Sequence, residues 1–203
     1  MQNFDRDWRE PYTRMPEVAI NFLERAGVPK RYWQVTMEKD YPNQEMLKDQ
    51  GYYLHGSTGS GKTRMLSAMV REHILSRWFM KEGLFLSATK LLHQLKSSYN
   101  RPKRTLDDED EAEANTDVLI TRYSEVELLA IDDLGRIRLT GWAMETLDYI
   151  IDERYNNCLL TFVTSQLDLA QLAKEFSEPM ASRLYQMCVS VQVTGKDRRA
   201  RTE

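Results

Sequence analysis

The sequence predicts an α/β fold, a three-layer arrangement in which a parallel sheet lies between helices. Three observations point to it. Short apolar runs at 52–55, 84–86, 127–131, 159–163 and 188–193 alternate with amphipathic helical stretches, the order that builds parallel sheets. The first run leads directly into the pattern G-x-x-x-x-G-K-[ST], present as Gly56-Ser57-Thr58-Gly59-Ser60-Gly61-Lys62-Thr63. The third run ends in two adjacent carboxylates, Asp132 and Asp133.

Composition bounds the rest. A chain of 203 residues, 41% hydrophobic and 29% charged, is long enough for a proper core and has the balance of a globular protein. The net charge of −3 means that any nucleic-acid contact must come from a local basic patch rather than an overall field. There is no run of eighteen apolar residues and no secretory signal pattern, so the expectation is a cytoplasmic protein without a membrane partner. Cys158 and Cys188 match no metal or redox spacing and are expected to be buried thiols.

Taken in order, residues 1–15 are charged and aromatic without periodicity (Phe4, Trp8, Tyr12) and read as a flexible arm, with docking as a second use. Pro16 to Ala26 reads as a helix: Val18, Ala19, Phe22, Leu23 and Ala26 share a face, and Gly27 stops it. Residues 1–45 are thus expected to form an N-terminal arm and helix, and residues 46–203 a nucleotide-binding domain.

The pattern at 56–63 carries specific mechanics. Its glycines let the backbone wrap a polyphosphate with successive N–H groups inward. The following helix adds its unpaired first N–H groups and positive dipole end. Gly56, Ser57, Thr58, Gly59, Ser60, Gly61, Lys62 and Thr63 are therefore the expected ATP-binding residues. Lys62 reaches the β- and γ-phosphates, and the Thr63 hydroxyl ligates Mg²⁺.

Beyond the loop, 62–80 reads as a helix stopped by Gly83, then comes strand 84–86 and a helix from Thr89 to Tyr99. Arg101 to Arg104 and the acidic run 107–113 read as a solvated connection, with a short helix near 117–123. The strand-end position puts Asp132 beside the phosphate loop, where it can hold Mg²⁺ through water, and makes Asp133 the candidate to orient the attacking water. Helix 142–156 follows, then strand 159–163 ending in Thr164-Ser165-Gln166, whose polar groups can reach the γ-phosphate or the water. A helix at 167–176, a helical piece at 179–187 and the last strand complete the chain.

These motifs together resemble the AAA+ ATPases, and within them the DnaC/DnaI-type helicase loaders and the related IstB transposition ATPases. The resemblance runs from about Gly27 to Arg199. It rests on the phosphate loop, on Leu128-Leu129-Ala130-Ile131-Asp132-Asp133-Leu134-Gly135, on Ile151-Asp152-Glu153-Arg154-Tyr155, on Thr164-Ser165-Gln166 and on Ser182-Arg183-Leu184. It implies an AAA+ core with a short helical N-terminal extension and an ATPase completed by a neighbouring subunit. Arg183 then matches the arginine finger that acts in trans, and Gln166 matches the sensor 1 position, usually an Asn in the family. Arg199, with Arg198 beside it, matches the sensor 2 arginine. The same resemblance implies single-stranded DNA contacts at Tyr99, Thr140 and Trp142, where aromatics suit sequence-tolerant stacking. Arg136, Arg138 and the 101–104 cluster are candidates for phosphate contacts.

The function expected from this is an ATP-dependent helicase loader. It would assemble on single-stranded DNA as an ATP-dependent homo-oligomer and help place a hexameric replicative DNA helicase at initiation of replication. Family loaders carry a separate helicase-binding domain, whereas about fifty residues precede the phosphate loop here. Either the arm and helix 16–26 dock the helicase, or the partner contact differs. An IstB-like transposition ATPase on duplex DNA, a small P-loop nucleotide kinase and a nucleotide-gated binding module that scarcely hydrolyses all stay open at this point.

Overall fold

The computed structural model describes residues 17–44, 49–76, 82–99, 107–135 and 141–195, with 76, 98, 99 and 107–115 described by backbone alone. Strands β1 (Gly51–His55), β2 (Gly83–Ser87), β3 (Leu128–Leu134), β4 (Leu160–Ser165) and β5 (Cys188–Gln192) form one sheet in the order β2-β3-β4-β1-β5. Every pairing in it is parallel. Eight helices accompany it among the described residues: α1 (Glu17–Ala26), α2 (Met37–Asp40), α3 (Lys62–Ser76), α4 (Ala88–Tyr99), α5 (Asp107–Glu125), α6 (Gly141–Asn156), α7 (Leu169–Glu175) and α8 (Glu178–Met187).

Strand periodicity of two residues divides the core into two layers. Tyr53, Leu129, Ile131 and Val163 face one side of the sheet, where they meet apolar residues of α4, α6 and α8. Tyr52, Leu54, Leu128, Ala130 and Phe162 face the other, against α3 and the buried face of α1. Tyr52 and Phe162, paired across β1 and β4, meet edge-on with ring centroids 5.6 Å apart. A strand buried on both faces reads as a continuous apolar run, which is how β1 and β3 are written.

Several elements differ from the sequence expectation. Gly83 is the first residue of β2, where a Cβ would press on Ile74 at 3.2 Å, and residues 77–80 of the expected helix lie outside the described residues. The acidic run 107–113 is not a connection but the first half of α5. Acidic residues suit the positive end of a helix dipole, so a charged stretch without an apolar stripe still starts a helix here. Helix α2 has no counterpart in the reading of the sequence; the Thr36 side chain caps it by accepting from Lys39 N. The helix after β4 begins at Leu169, behind an Asp168 capping box, so Leu167 lies outside it. Cys158 is exposed, in a turn at φ 52°, rather than buried. Cys188 is partly covered, and burial pushes its thiol up to about 12. The arm 1–15 and the cluster 101–104 lie outside the described residues.

Candidate nucleotide site

The phosphate loop joins β1 to α3, and its shape follows from its glycines. Gly56 sits at φ 145°, where a Cβ would come within 2.4 Å of the Val193 carbonyl oxygen, so only glycine fits. Gly59 and Gly61 also have positive φ, at 79° and 102°. Helix α3 starts at Lys62 itself, so its free N–H groups open into the loop. Lys62 is buried, and its Nζ donates to the carbonyls of Gly56 at 2.7 Å and Ser57 at 2.8 Å. The backbone of Gly195 lies against Ser60, close enough that a Cβ would stand 2.8 Å from its carbonyl oxygen. The chain leaving β5 therefore passes alongside the phosphate loop.

Strand order decides what else is near. Because β4 lies between β1 and β3, the end of β4 sits between the phosphate loop and the end of β3. Ligands in such sheets gather at the carboxyl ends of the strands. Thr63 Oγ1 donates to Asp132, with Oδ1 at 3.0 Å and Oδ2 at 3.1 Å. Thr164 Oγ1 donates to Asp132 Oδ1 at 2.7 Å. Gln166 is exposed, and its Oε1 accepts from Thr58 Oγ1 at 3.0 Å, which links β4 to the loop.

Burial raises the pKa of Asp132, the hydrogen bonds from Thr164 and Thr63 oppose that rise, and the nearby charge of Asp133 adds to it. A part-buried carboxylate beside a hydroxyl is a hard-oxygen pair suited to a divalent cation. Mg²⁺ is commonly held by one or two protein oxygens together with substrate phosphates and water. Thr63 and Asp132 are the residues that would hold it, and its chemistry there would be to neutralise charge on the phosphates.

Asp133 lies at φ 62°, within a register shift between β3 and β4 that spans Ile131 to Leu134. The sequence reading ended the strand in the two carboxylates; in the structure β3 runs one residue further, to Leu134. Arg183, on α8, is part-buried and forms an ion pair through Nε with Asp152 Oδ1 on α6 of the same chain. Trp142 opens α6 and is about one-third exposed at 36%. Tyr99 closes α4, but its side chain lies outside the described residues, as do Thr140, Arg136, Arg138, Arg198 and Arg199.

Two features had no sequence signal strong enough to single them out. Arg64, next to Thr63, pairs with Asp40 at 2.5 Å and lies over the Tyr41 ring, which ties α2 to the start of α3. Thr164 stood only as one of three polar strand-end residues, although it is the one that touches Asp132.

The family described as "IstB-like ATP binding protein" matches residues 44–203. The uncharacterized protein YqaM of Bacillus subtilis is 26% identical over 155 residues, covering 74% of this chain and 44% of that protein. The replicative helicase loader DnaI of Bacillus subtilis is 25% identical over 168 residues, 76% of this chain and 49% of that one. The chain thus spans about half the length of the curated relatives it matches. A solved structure, the crystal structure of the DnaC helicase loader, superposes with a TM-score of 0.63 at 24% identity, over 82% of this chain and 100% of that one. No helix among the described residues is long and apolar enough to cross a membrane. With the matched stretch holding the phosphate loop, Asp132 and the end of β4 on an AAA+ P-loop fold, the chain belongs to the IstB-like ATP binding proteins.

Proposed function

We propose that the chain is an ATP-hydrolysing helicase loader, acting on single-stranded DNA with a replicative helicase as its partner. The observation that carries the reading is the contact of Thr63 with Asp132. It unites a phosphate loop with a part-buried carboxylate, the arrangement needed to hold Mg²⁺ on a bound triphosphate. The similarity to DnaI, named a replicative helicase loader, supports the biological role.

In this reading Lys62 and the loop amides bind the phosphates and Asp133 orients the attacking water. Gln166 reaches the γ-phosphate side from the end of β4. Arg183 acts on the site of the next subunit in an ATP-dependent homo-oligomer, and such a residue is worth roughly 10³–10⁵ in turnover. The passage of Gly195 beside Ser60 supports Arg199, or Arg198, as a further contact to the nucleotide. Tyr99, Thr140 and Trp142 would line the DNA path. Residues 46–203 form the ATPase domain, residues 1–45 the docking segment, and the protein works in the cytoplasm.

A second reading is favoured by the family match itself: a transposition helper that binds duplex DNA. The test is ATP turnover and particle size of the purified protein with a single-stranded or a duplex oligonucleotide. A loader assembles and turns over ATP faster on the single strand. Stimulation by the duplex alone would favour the transposition helper, and absence of ATP turnover in every condition would overturn both.

A further inference from the structure

Thr164 is buried, 1% exposed, near the end of the strand that separates the phosphate loop from Asp132. Its hydroxyl is committed twice. The register shift between β3 and β4, with Asp133 at φ 62°, turns the Asp133 N–H out of the regular ladder. A buried N–H without an acceptor costs about 1–3 kcal/mol, and the Thr164 Oγ1 accepts this one at 2.8 Å. A hydroxyl has a single proton. With a lone pair held by the amide, that proton is directed to Asp132 Oδ1, 2.7 Å away. Thr63 Oγ1 lies within reach of both carboxylate oxygens, 3.0 Å from Oδ1 and 3.1 Å from Oδ2.

We infer that Thr164 is a positioning residue for the Mg²⁺–nucleotide site. It holds the Asp132 carboxylate by Oδ1, with the Thr63 hydroxyl within reach of both oxygens, and locks that orientation to the backbone kink at Asp133. Gln166, two residues on, points to the phosphate loop through Thr58 instead. The two side chains at the end of β4 therefore divide the work: Gln166 meets the loop and Thr164 meets the metal-binding carboxylate. A valine at 164 keeps the shape of the side chain but removes both the acceptor and the donor. Serine keeps both.

This inference rests on the Mg²⁺–ATP reading above, and the experiment separates the two. The half-saturating Mg²⁺ concentration for binding of a fluorescent ATP analogue is measured for wild type, Thr164→Val and Thr164→Ser, with binding in EDTA and thermal unfolding recorded beside it. Thr164→Val is expected to bind the analogue in EDTA as wild type does, yet to need at least about tenfold more Mg²⁺, the usual scale for losing a residue that orients a metal ligand. Thr164→Ser is expected within about twofold of wild type on the same scale. A wild-type Mg²⁺ midpoint in Thr164→Val overturns the inference alone, as does equal weakening with and without Mg²⁺. A wild type indifferent to Mg²⁺ overturns the metal reading and the inference with it. Should the valine variant not fold, Thr164→Ala removes both the donor and the acceptor with less bulk. A raised Mg²⁺ midpoint there supports the inference and a wild-type one overturns it.

Discussion

Arg154 shows how much of this fold hangs on one side chain. It is completely buried and, among the described residues, the largest side chain in that state. It donates to the carbonyls of Tyr123 at 3.0 Å, Val126 at 2.7 Å and Leu160 at 2.5 Å, and to Thr161 Oγ1 at 2.9 Å. These acceptors lie at the end of α5, before β3 and at the start of β4, so one guanidinium fastens three segments. Its five fixed donors suit such a cluster where an ammonium would not. Burial pushes its pKa down to about 9, which still leaves it charged at neutral pH. Arg154→Met keeps much of the bulk and strips the donors, leaving three carbonyls unpaired. With about 1–3 kcal/mol for each buried group left unsatisfied, urea unfolding should report a loss of at least about 3 kcal/mol. A loss below about 1 kcal/mol would mean that water replaces the guanidinium, and that Arg154 is not the fastener.

At the scale of elements, α1 belongs to the same core as the nucleotide-binding sheet. Leu23 is fully buried, Ala26 nearly so, and both join the apolar cluster of α3, β1 and Phe85. Trp33 closes the segment behind them, its Nε1 donating to the Val28 carbonyl at 2.8 Å. Leu23→Ala should therefore destabilise the chain by about 2–5 kcal/mol, and thermal melting should remain a single transition in which nucleotide binding is lost together with the fold. A separate low-temperature transition with intact nucleotide binding would instead mark α1 as an independent appendage. Val18, expected on the face that Leu23 and Ala26 bury, is instead 62% exposed.

The elements also show why some features were readable from sequence and others were not. The phosphate loop and Asp132 announce themselves because glycine spacing and an apolar run ending in acid are local signals. Strands β1 and β3 were legible for the same reason: burial on both faces writes them as apolar runs. The acidic start of α5 was not, since residues 107–113 carry no apolar stripe. The division of labour between Thr164 and Gln166 was hidden as well. It depends on a register shift in the neighbouring strand, and no pattern within 164–166 encodes that. Arg154 sat in plain view within Ile151-Asp152-Glu153-Arg154-Tyr155, but its burial is set by carbonyls that lie up to 31 positions away.

For the whole molecule, the proposed mechanism makes activity a property of assembly. Arg183 is on α8, which packs on the face of the sheet opposite the phosphate-loop helix α3, and is tied to Asp152 of its own chain. A finger that acts on a neighbour must be supplied by another copy, so defects in the finger and in the site should complement each other. Trp142, partly exposed at the head of α6, gives the DNA side of the same account. The most direct measurement is ATP turnover of two inactive variants mixed together. Arg183→Ala keeps an intact site but has no finger, whereas Asp133→Asn keeps the finger but lacks the group that orients water. Each alone should fall by roughly 10³-fold or more if both residues act as proposed. When mixed with ATP and a single-stranded oligonucleotide, the Arg183→Ala sites should receive fingers from Asp133→Asn neighbours and recover a substantial part of the wild-type rate. A mixture no faster than the two variants measured apart would contradict a finger supplied in trans, and with it the assembly-dependent mechanism.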